Sequence, residues 1–180
     1  MLKQSNMNSG IMDGKLIKMF IMESIAIFVD VQNVYYTTRQ AFGRRFDYNA
    51  LWAKLSQSYR IDIARAYAIS STDPKQRQFH HILRGIGFNV QLKPFIQRLD
   101  GSAKGDWDVG LALDVYETAN SVDRIVLISG DGDFQVLVER IQQRFNTKVT
   151  VAGVRSLTAN NLIQAADDYI EIDSDLLIGQ

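Results

Sequence analysis

The sequence predicts an α/β domain built on a mainly parallel central sheet of about five strands, with helices on both faces. Three observations carry this. Residues 24–30 and 123–129 are short continuous apolar runs, the pattern of strands buried on both faces. Segments of helical spacing alternate with these runs, which implies right-handed crossovers between parallel strands. There is no internal repeat and no low-complexity block.

At 180 residues the chain suits one domain, and a domain of that size buries about 70% of its unfolded surface. It contains no cysteine, so neither disulfides nor a cysteine-ligated zinc supports the core. That absence fits a reducing cytoplasm, and cytoplasmic is the expected location. Formal net charge is zero, so any nucleic-acid binding must come from a local patch. No apolar run approaches the roughly 20 residues of a membrane span, and no membrane partner is expected. The apolar stretch 16–22 after Lys15 has a faint signal-peptide character, but the next segment reads as a buried strand rather than a cleavage site.

Residues 1–23 differ from the rest. They hold Met1, Met7, Met12, Met19 and Met22 without a period, and read as a poorly ordered leader or a start assigned too far upstream. Residues 24–180 form the expected domain. Its first strand, 24–30, ends in Asp30. Residues 34–42 and 48–59 read as helices, the second capped by Asp47. A second strand follows at 61–70. Asp73 and Pro74 then open a helix that stops at Gly85-Ile86-Gly87. A third strand spans 88–93, and residues 94–105 look polar and irregular around an Asp100-Gly101 turn. Helical spacing resumes over 106–120, followed by a fourth strand at 123–129 and a helix at 134–144. A fifth strand at 148–152, a helix at 159–166 and a short strand at 169–172 complete the chain.

Ligands of open α/β sheets sit at the carboxyl ends of strands, where the strand order reverses. Two strands deliver acids there: the first ends Phe28-Val29-Asp30, and the fourth runs into Ser129-Gly130-Asp131-Gly132-Asp133-Phe134. If these strands are neighbours, Asp30, Asp131 and Asp133 converge. Clustered carboxylates raise one another's pKa values, and a divalent cation removes that cost. Hard oxygen donors without cysteine indicate Mg²⁺ or Mn²⁺. Gly130 and Gly132 suit a tight turn that leaves room for a phosphate. Taken singly, each acid has a plainer explanation: Asp30 as a turn or cap, Asp131 and Asp133 as cap and first-turn acid of the next helix. Their joint placement favours a metal site. Asp106 reads as the cap of the helix ahead of the fourth strand; Asp108, in its first turn, either serves the helix dipole or completes the cluster. Asp114 falls about 240° further round that helix and is secondary.

Asp30-Val31-Gln32-Asn33, Lys104-Gly105 ahead of Asp108, and Ser129 to Phe134 together resemble the NYN domain, in particular its LabA-like bacterial branch related to PIN nucleases. The resemblance covers residues 24–172 and implies a three-layer α/β/α PIN-like fold with metal-dependent ribonuclease activity. By position it implies that Asp30, Asp108, Asp131 and Asp133 are the catalytic and metal-binding acids, supported by Asn33 and Ser129. The leader has no counterpart in it.

One metal at such a site polarises the scissile phosphate and ionises a water, and a second ~4 Å away stabilises the leaving oxygen. Asn33 orients water without adding charge. For the RNA, Lys104 and Arg39 are the expected contacts among a basic set that includes Arg44, Arg45, Lys93 and Arg98, with Tyr35, Tyr36 and Trp107 as stacking candidates. His80 and His81 lie far from the acids in sequence and read as packing or surface residues. Two alternatives stay open: a non-catalytic RNA-binding or regulatory module that keeps a metal site, and another Mg²⁺-dependent phosphohydrolase. The second is disfavoured because Asp30-Val31-Gln32 lacks the second acid of an aspartyl-phosphate motif. Neither nucleotide-binding glycine fingerprint is present in its strand–helix context. Single-stranded DNA as substrate and a homodimer as assembly are left open.

Overall fold

The computed structural model describes residues 22–93, 96–97, 103–104 and 107–179, with backbone alone at 96–97 and 103–104. The predicted leader therefore falls outside the described residues, apart from Met22 and Glu23. So do Arg98, Asp106, the Asp100-Gly101 turn and the Lys104 side chain.

Six strands form one parallel sheet: β1 (Ser24–Asp30), β2 (Arg60–Ile69), β3 (Asn89–Lys93), β6 (Arg124–Ile128), β7 (Lys148–Gly153) and β8 (Asp168–Glu171), in the order β3-β2-β1-β6-β7-β8. Strand order therefore reverses between β1 and β6. Alternation within the buried strands sorts side chains into two cores. Ile25, Ile27, Val29, Val126 and Ile128 face one side, and Ala26, Phe28, Ile125 and Leu127 face the other. The first face is covered by α1 (Val31–Phe42), α2 (Tyr48–Ser58) and α3 (Pro74–Ile86), through Val34, Leu51, Leu55 and Leu83. The second is covered by α4 (Asp108–Thr118), α5 (Gln135–Phe145) and α6 (Asn160–Ala165), through Leu111, Val115, Val138, Ile141 and Leu162. The architecture is three-layer α/β/α, as expected. No helix among the described residues is long and apolar enough to cross a membrane.

Local chemistry sets the helix boundaries. Asp47 caps α2, its Oδ1 accepting from the N–H groups of Asn49 (2.9 Å) and Ala50 (3.0 Å). Asp73 caps α3 with Pro74 in its first turn, and the helix runs through Gly85 to end at Gly87, whose φ of 129° only glycine adopts comfortably. Helix α1 starts three residues earlier than its apolar spacing suggests, because Asp30 itself is the cap. Helix α4 begins at Asp108 rather than Asp106 and ends in a 3₁₀ turn at Ala119–Ser121. The stretch expected to be irregular contains a short antiparallel ribbon, β4 (Ile96–Gln97) with β5 (Ala103–Lys104).

The sequence reading also missed the C-terminal clasp. Ile178 N–H donates to the Arg45 carbonyl, Asp47 N–H to that of Leu176, and the Arg44 guanidinium to the carbonyls of Leu177 and Ile178. This buries Leu176 and Leu177 in the first core. Arg44 thus serves the fold and is removed from the nucleic-acid candidates.

Candidate active site

Register places the two acidic strand ends side by side. Val29 of β1 pairs with Ile128 of β6, so Asp30 and Ser129 emerge together at the reversal of strand order. A chain of hydrogen bonds then knits the two loops. Asp30 Oδ1 accepts from Asn33 N–H at 3.1 Å, and its Oδ2 accepts from Ser129 Oγ at 3.3 Å. Asn33 Oδ1 accepts from Gly130 N–H at 2.9 Å. Ser129 Oγ accepts from Asp131 N–H at 3.3 Å, and Asp131 Oδ1 accepts from Asp133 N–H at 3.0 Å. Ser129 is fully buried beneath this network, Asp30, Asp108 and Asp131 are half-buried, and Asp133 is exposed at the rim.

The electrostatics bring α4 into the same group. Burial pushes the Asp30 carboxyl above its ordinary value, the Asn33 and Ser129 hydrogen bonds oppose that rise, and the nearby charges of Asp108 and Asp131 add to it. Asp30, Asp108 and Asp131 therefore share one electrostatic environment. Asp133 is not among the charges that act on Asp30; it sits in the first turn after Asp131, which caps the 3₁₀ turn Gly132–Phe134. Among the described residues, no three acidic or histidine side chains are already drawn together as an ion cage.

Gly130 and Gly132 have a different purpose from the one expected. Neither has positive φ. A Cβ on Gly130 would stand 2.7 Å from the Leu157 carbonyl oxygen, and one on Gly132 would stand 3.0 Å from Ala159 Cβ. Their missing side chains admit the loop after β7. That loop is fastened by Ala159 N–H donating to the Gly130 carbonyl at 3.0 Å and by Asn161 Nδ2 donating to Gly132 at 3.3 Å. The positions that side chains would take at these two glycines are filled by protein.

Other candidates divide clearly. Asp114 lies off the cluster, as its helical angle implies, and is held by Tyr67 Oη at 2.5 Å and Arg65 Nη1 at 3.1 Å. Tyr67 itself pairs in register with Asp30 across β1 and β2, so this network braces α4 against the strand beside the site. Trp107 is fixed rather than available for stacking: its Nε1 donates to the Ala68 carbonyl at 2.8 Å, and its ring meets Tyr67 edge-on. Tyr35 and Tyr36 are 51% and 64% exposed just after the first acid. Arg39 is exposed, but its Nη1 donates to the Gly43 carbonyl at its own helix end, nine residues or roughly 13 Å along α1 from Asp30. His80 is buried against Phe79 and His81 is exposed, both apart from the acids. One contributor carried no sequence signal. The buried phenol of Tyr48 is pushed well above its ordinary range by burial and by the Asp30 charge.

Comparison with known proteins agrees with this layout. The model of the NYN domain matches residues 24–173. The chain is 31% identical over 157 residues to the low amplitude and bright protein LabA of Synechococcus elongatus, covering 83% of each. A crystal structure of a Vibrio parahaemolyticus protein of unknown function superposes with a TM-score of 0.84 at 63% identity, over 87% of this chain and 97% of that one. The chain belongs to the NYN domain family, a family of PIN-like nucleases.

Proposed function

We propose that this chain is a divalent-metal-dependent ribonuclease that hydrolyses RNA phosphodiester bonds in the cytoplasm. The observation that carries the reading is Asp30: a half-buried carboxylate whose pKa is raised by burial and by Asp108 and Asp131, at the reversal of strand order. The donors are all oxygen, and burial plus mutual repulsion is the condition a hard cation such as Mg²⁺ or Mn²⁺ relieves. Asp30, Asp108 and Asp131 would supply the oxygen donors for such an ion. Bound metal supplies Lewis-acid polarisation of the phosphate and a more acidic water.

The protein's own groups then have distinct tasks. Asp30, Asp108 and Asp131 hold the ion, with Asp133 at the rim. Ser129 Oγ orients two of them, donating to Asp30 and accepting from the Asp131 backbone. Asn33 Oδ1 is occupied by Gly130 N–H, which leaves its Nδ2 donors as the groups that would meet water or a phosphate oxygen. Its orientation is therefore set by the backbone of the opposite loop.

The test is cleavage of single-stranded and structured RNAs in Mg²⁺, Mn²⁺ or EDTA, beside Asp131→Asn. The wild type is expected to cleave only with metal. Asp131→Asn is expected to lose cleavage while remaining folded, with a metal-free melting temperature equal to or above that of wild type. With saturating Mg²⁺ the order of stabilities should reverse, because only the wild type gains the full binding free energy. Equal cleavage by both proteins would remove Asp131 from the mechanism. A second reading, an RNA-binding module without turnover, draws on the open spacing of the acids. It predicts Mg²⁺-dependent stabilisation of the wild type with no cleavage of any RNA.

A further inference from the structure

Helices α4 and α5 both start at the acidic loops: α4 opens at Asp108, and α5 begins just after Asp133. Further along them lies a shallow cleft of about 290 Å³ lined by Tyr116, Arg140, Gln143 and Arg144. Both arginines are exposed, and neither has a carboxylate partner among the described residues. The nearest acid in sequence, Glu139, is engaged by Gln135 Nε2 at 2.8 Å. Arg144 is in the last turn of α5, where the helix dipole alone justifies a cation. Arg140 stands one turn earlier and repels it, since like charges four residues apart destabilise a helix. In a chain with 20 basic and 20 acidic side chains, such an arginine pair beside an aromatic ring is a local excess of charge suited to an anion. Val109 and Leu113, 72% and 58% exposed, lie on α4 between Asp108 and Tyr116. Exposed apolar positions there suit the faces of unpaired bases better than the backbone of a duplex.

We infer that the α4–α5 cleft is a phosphate-binding subsite for single-stranded RNA, in which Arg140 and Arg144 grip the backbone of the strand whose scissile phosphate lies at the acids. This rests on the reading of the acids as a nuclease site. Asp108 and Tyr116 are eight residues apart on α4, which is roughly 12 Å at the helical rise. At a rise of about 3.4 Å per stacked nucleotide, the cleft lies three to four nucleotides from the acids.

The test is fluorescence anisotropy with labelled 12-nucleotide and 3-nucleotide single-stranded RNAs in EDTA, using the full chain and its Arg140→Gln/Arg144→Gln variant. The variant should bind the 12-mer about tenfold more weakly or worse, and its log Kd against log salt slope should fall by about 1.4, two contacts at ~0.7 each. Wild type should bind the 3-mer, too short to run from the acids to the cleft, more weakly than the 12-mer, and the melting temperature of the variant should stay unchanged. Arg140→Lys/Arg144→Lys should recover most of the salt slope. If the wild type cleaves nothing yet its 12-mer binding depends on these arginines, the nuclease reading fails and the subsite stands. Unchanged 12-mer affinity and slope in the Gln variant overturn the subsite, as does no measurable 12-mer binding by wild type. So does an acidic peptide whose binding is lost in the Gln variant while RNA binding is retained, since the cleft would then belong to a protein partner.

Discussion

Replacing Gly130 by alanine tests how the acidic loop is built. The Cβ would stand 2.7 Å from the Leu157 carbonyl oxygen and 3.2 Å from Thr158 Cα, both backbone atoms with no rotamer to escape by. The turn cannot drift away freely, because Gly130 N–H is bound to Asn33 at 2.9 Å and its carbonyl to Ala159 N–H at 3.0 Å. Forced overpacking of this kind costs about 1–3 kcal/mol. At roughly 2–4 °C per kcal/mol for a domain of this size, the melting temperature should fall by about 2–12 °C. Gly85 supplies the control. It lies within α3 with open space where a Cβ would go, so Gly85→Ala should gain about 0.5–1 kcal/mol from helix propensity alone. Calorimetric melts of both variants and wild type in EDTA read the difference. A Gly130→Ala protein that melts at or above wild type would refute the close-packing account and restore a purely conformational role for this glycine. If the account holds, cleavage should fall alongside stability, since the same displacement separates Asn33 from the loop that orients it.

Three other outcomes rest on the same geometry. Asp30 has a folded pKa above its unfolded value of about 3.9. Its contribution to stability is therefore full below that value and is lost as pH rises through the raised folded value. In EDTA, Asp30→Asn should gain stability relative to wild type on going from about pH 4 to neutrality, while asparagine preserves the helix cap; a pH-independent difference in melting temperature between the two would count against repulsion at the site. Tyr67→Phe removes the hydroxyl that holds Asp114 but leaves Arg65 in place, so it should cost about 1 kcal/mol, measured by urea titration; a loss above about 3 kcal/mol would mean the ring packing had also failed. A chain beginning at Met22 retains Glu23 and its ion pair with Arg124 at 3.1 Å, and should unfold cooperatively near the full-length melting temperature; loss of cooperativity would place the preceding residues in the core.

The site was legible in the sequence where burial leaves little choice. β1 and β6 are buried along almost their whole length, so a polar residue is tolerated only where each strand ends, and that is where Asp30 and Ser129 stand. The pairing of those two strands was the remaining assumption, and the register supplies it. What was not legible depends on partners distant in sequence. The Tyr67–Asp114–Arg65 network requires knowing that α4 packs beside β2, which the mixed burial of β2 does not announce. Trp107 looked available for stacking because its hydrogen-bond acceptor, Ala68, is 39 residues away. Leu176 and Leu177 belong to a tail without periodicity, and their burial depends on the Phe46 bridge and the Arg44 guanidinium. Gly130 and Gly132 read as turn glycines because spacing within one loop cannot reveal that a second loop lies on top of it.

The plain and functional explanations of the aspartates turn out to describe the same atoms. Asp30 caps α1, Asp131 caps the 3₁₀ turn leading into α5, and Asp108 occupies the first turn of α4. Each acid thus gains from its own N-terminal dipole, which offsets part of the repulsion among them and lets the group persist without an ion. Capping alone does not account for their arrangement, however. A cap needs one acceptor at one helix end, and it gains nothing from two further carboxylates close enough to raise its pKa. Asp47 and Asp73 show what capping by itself looks like here: each binds its own helix, and neither is among the charges that act on Asp30. Asp30 differs from them in being crowded by the charges of Asp108 and Asp131 and set at the reversal of strand order. That excess cost, borne at one place in the fold, is the physical case for a cation at that place.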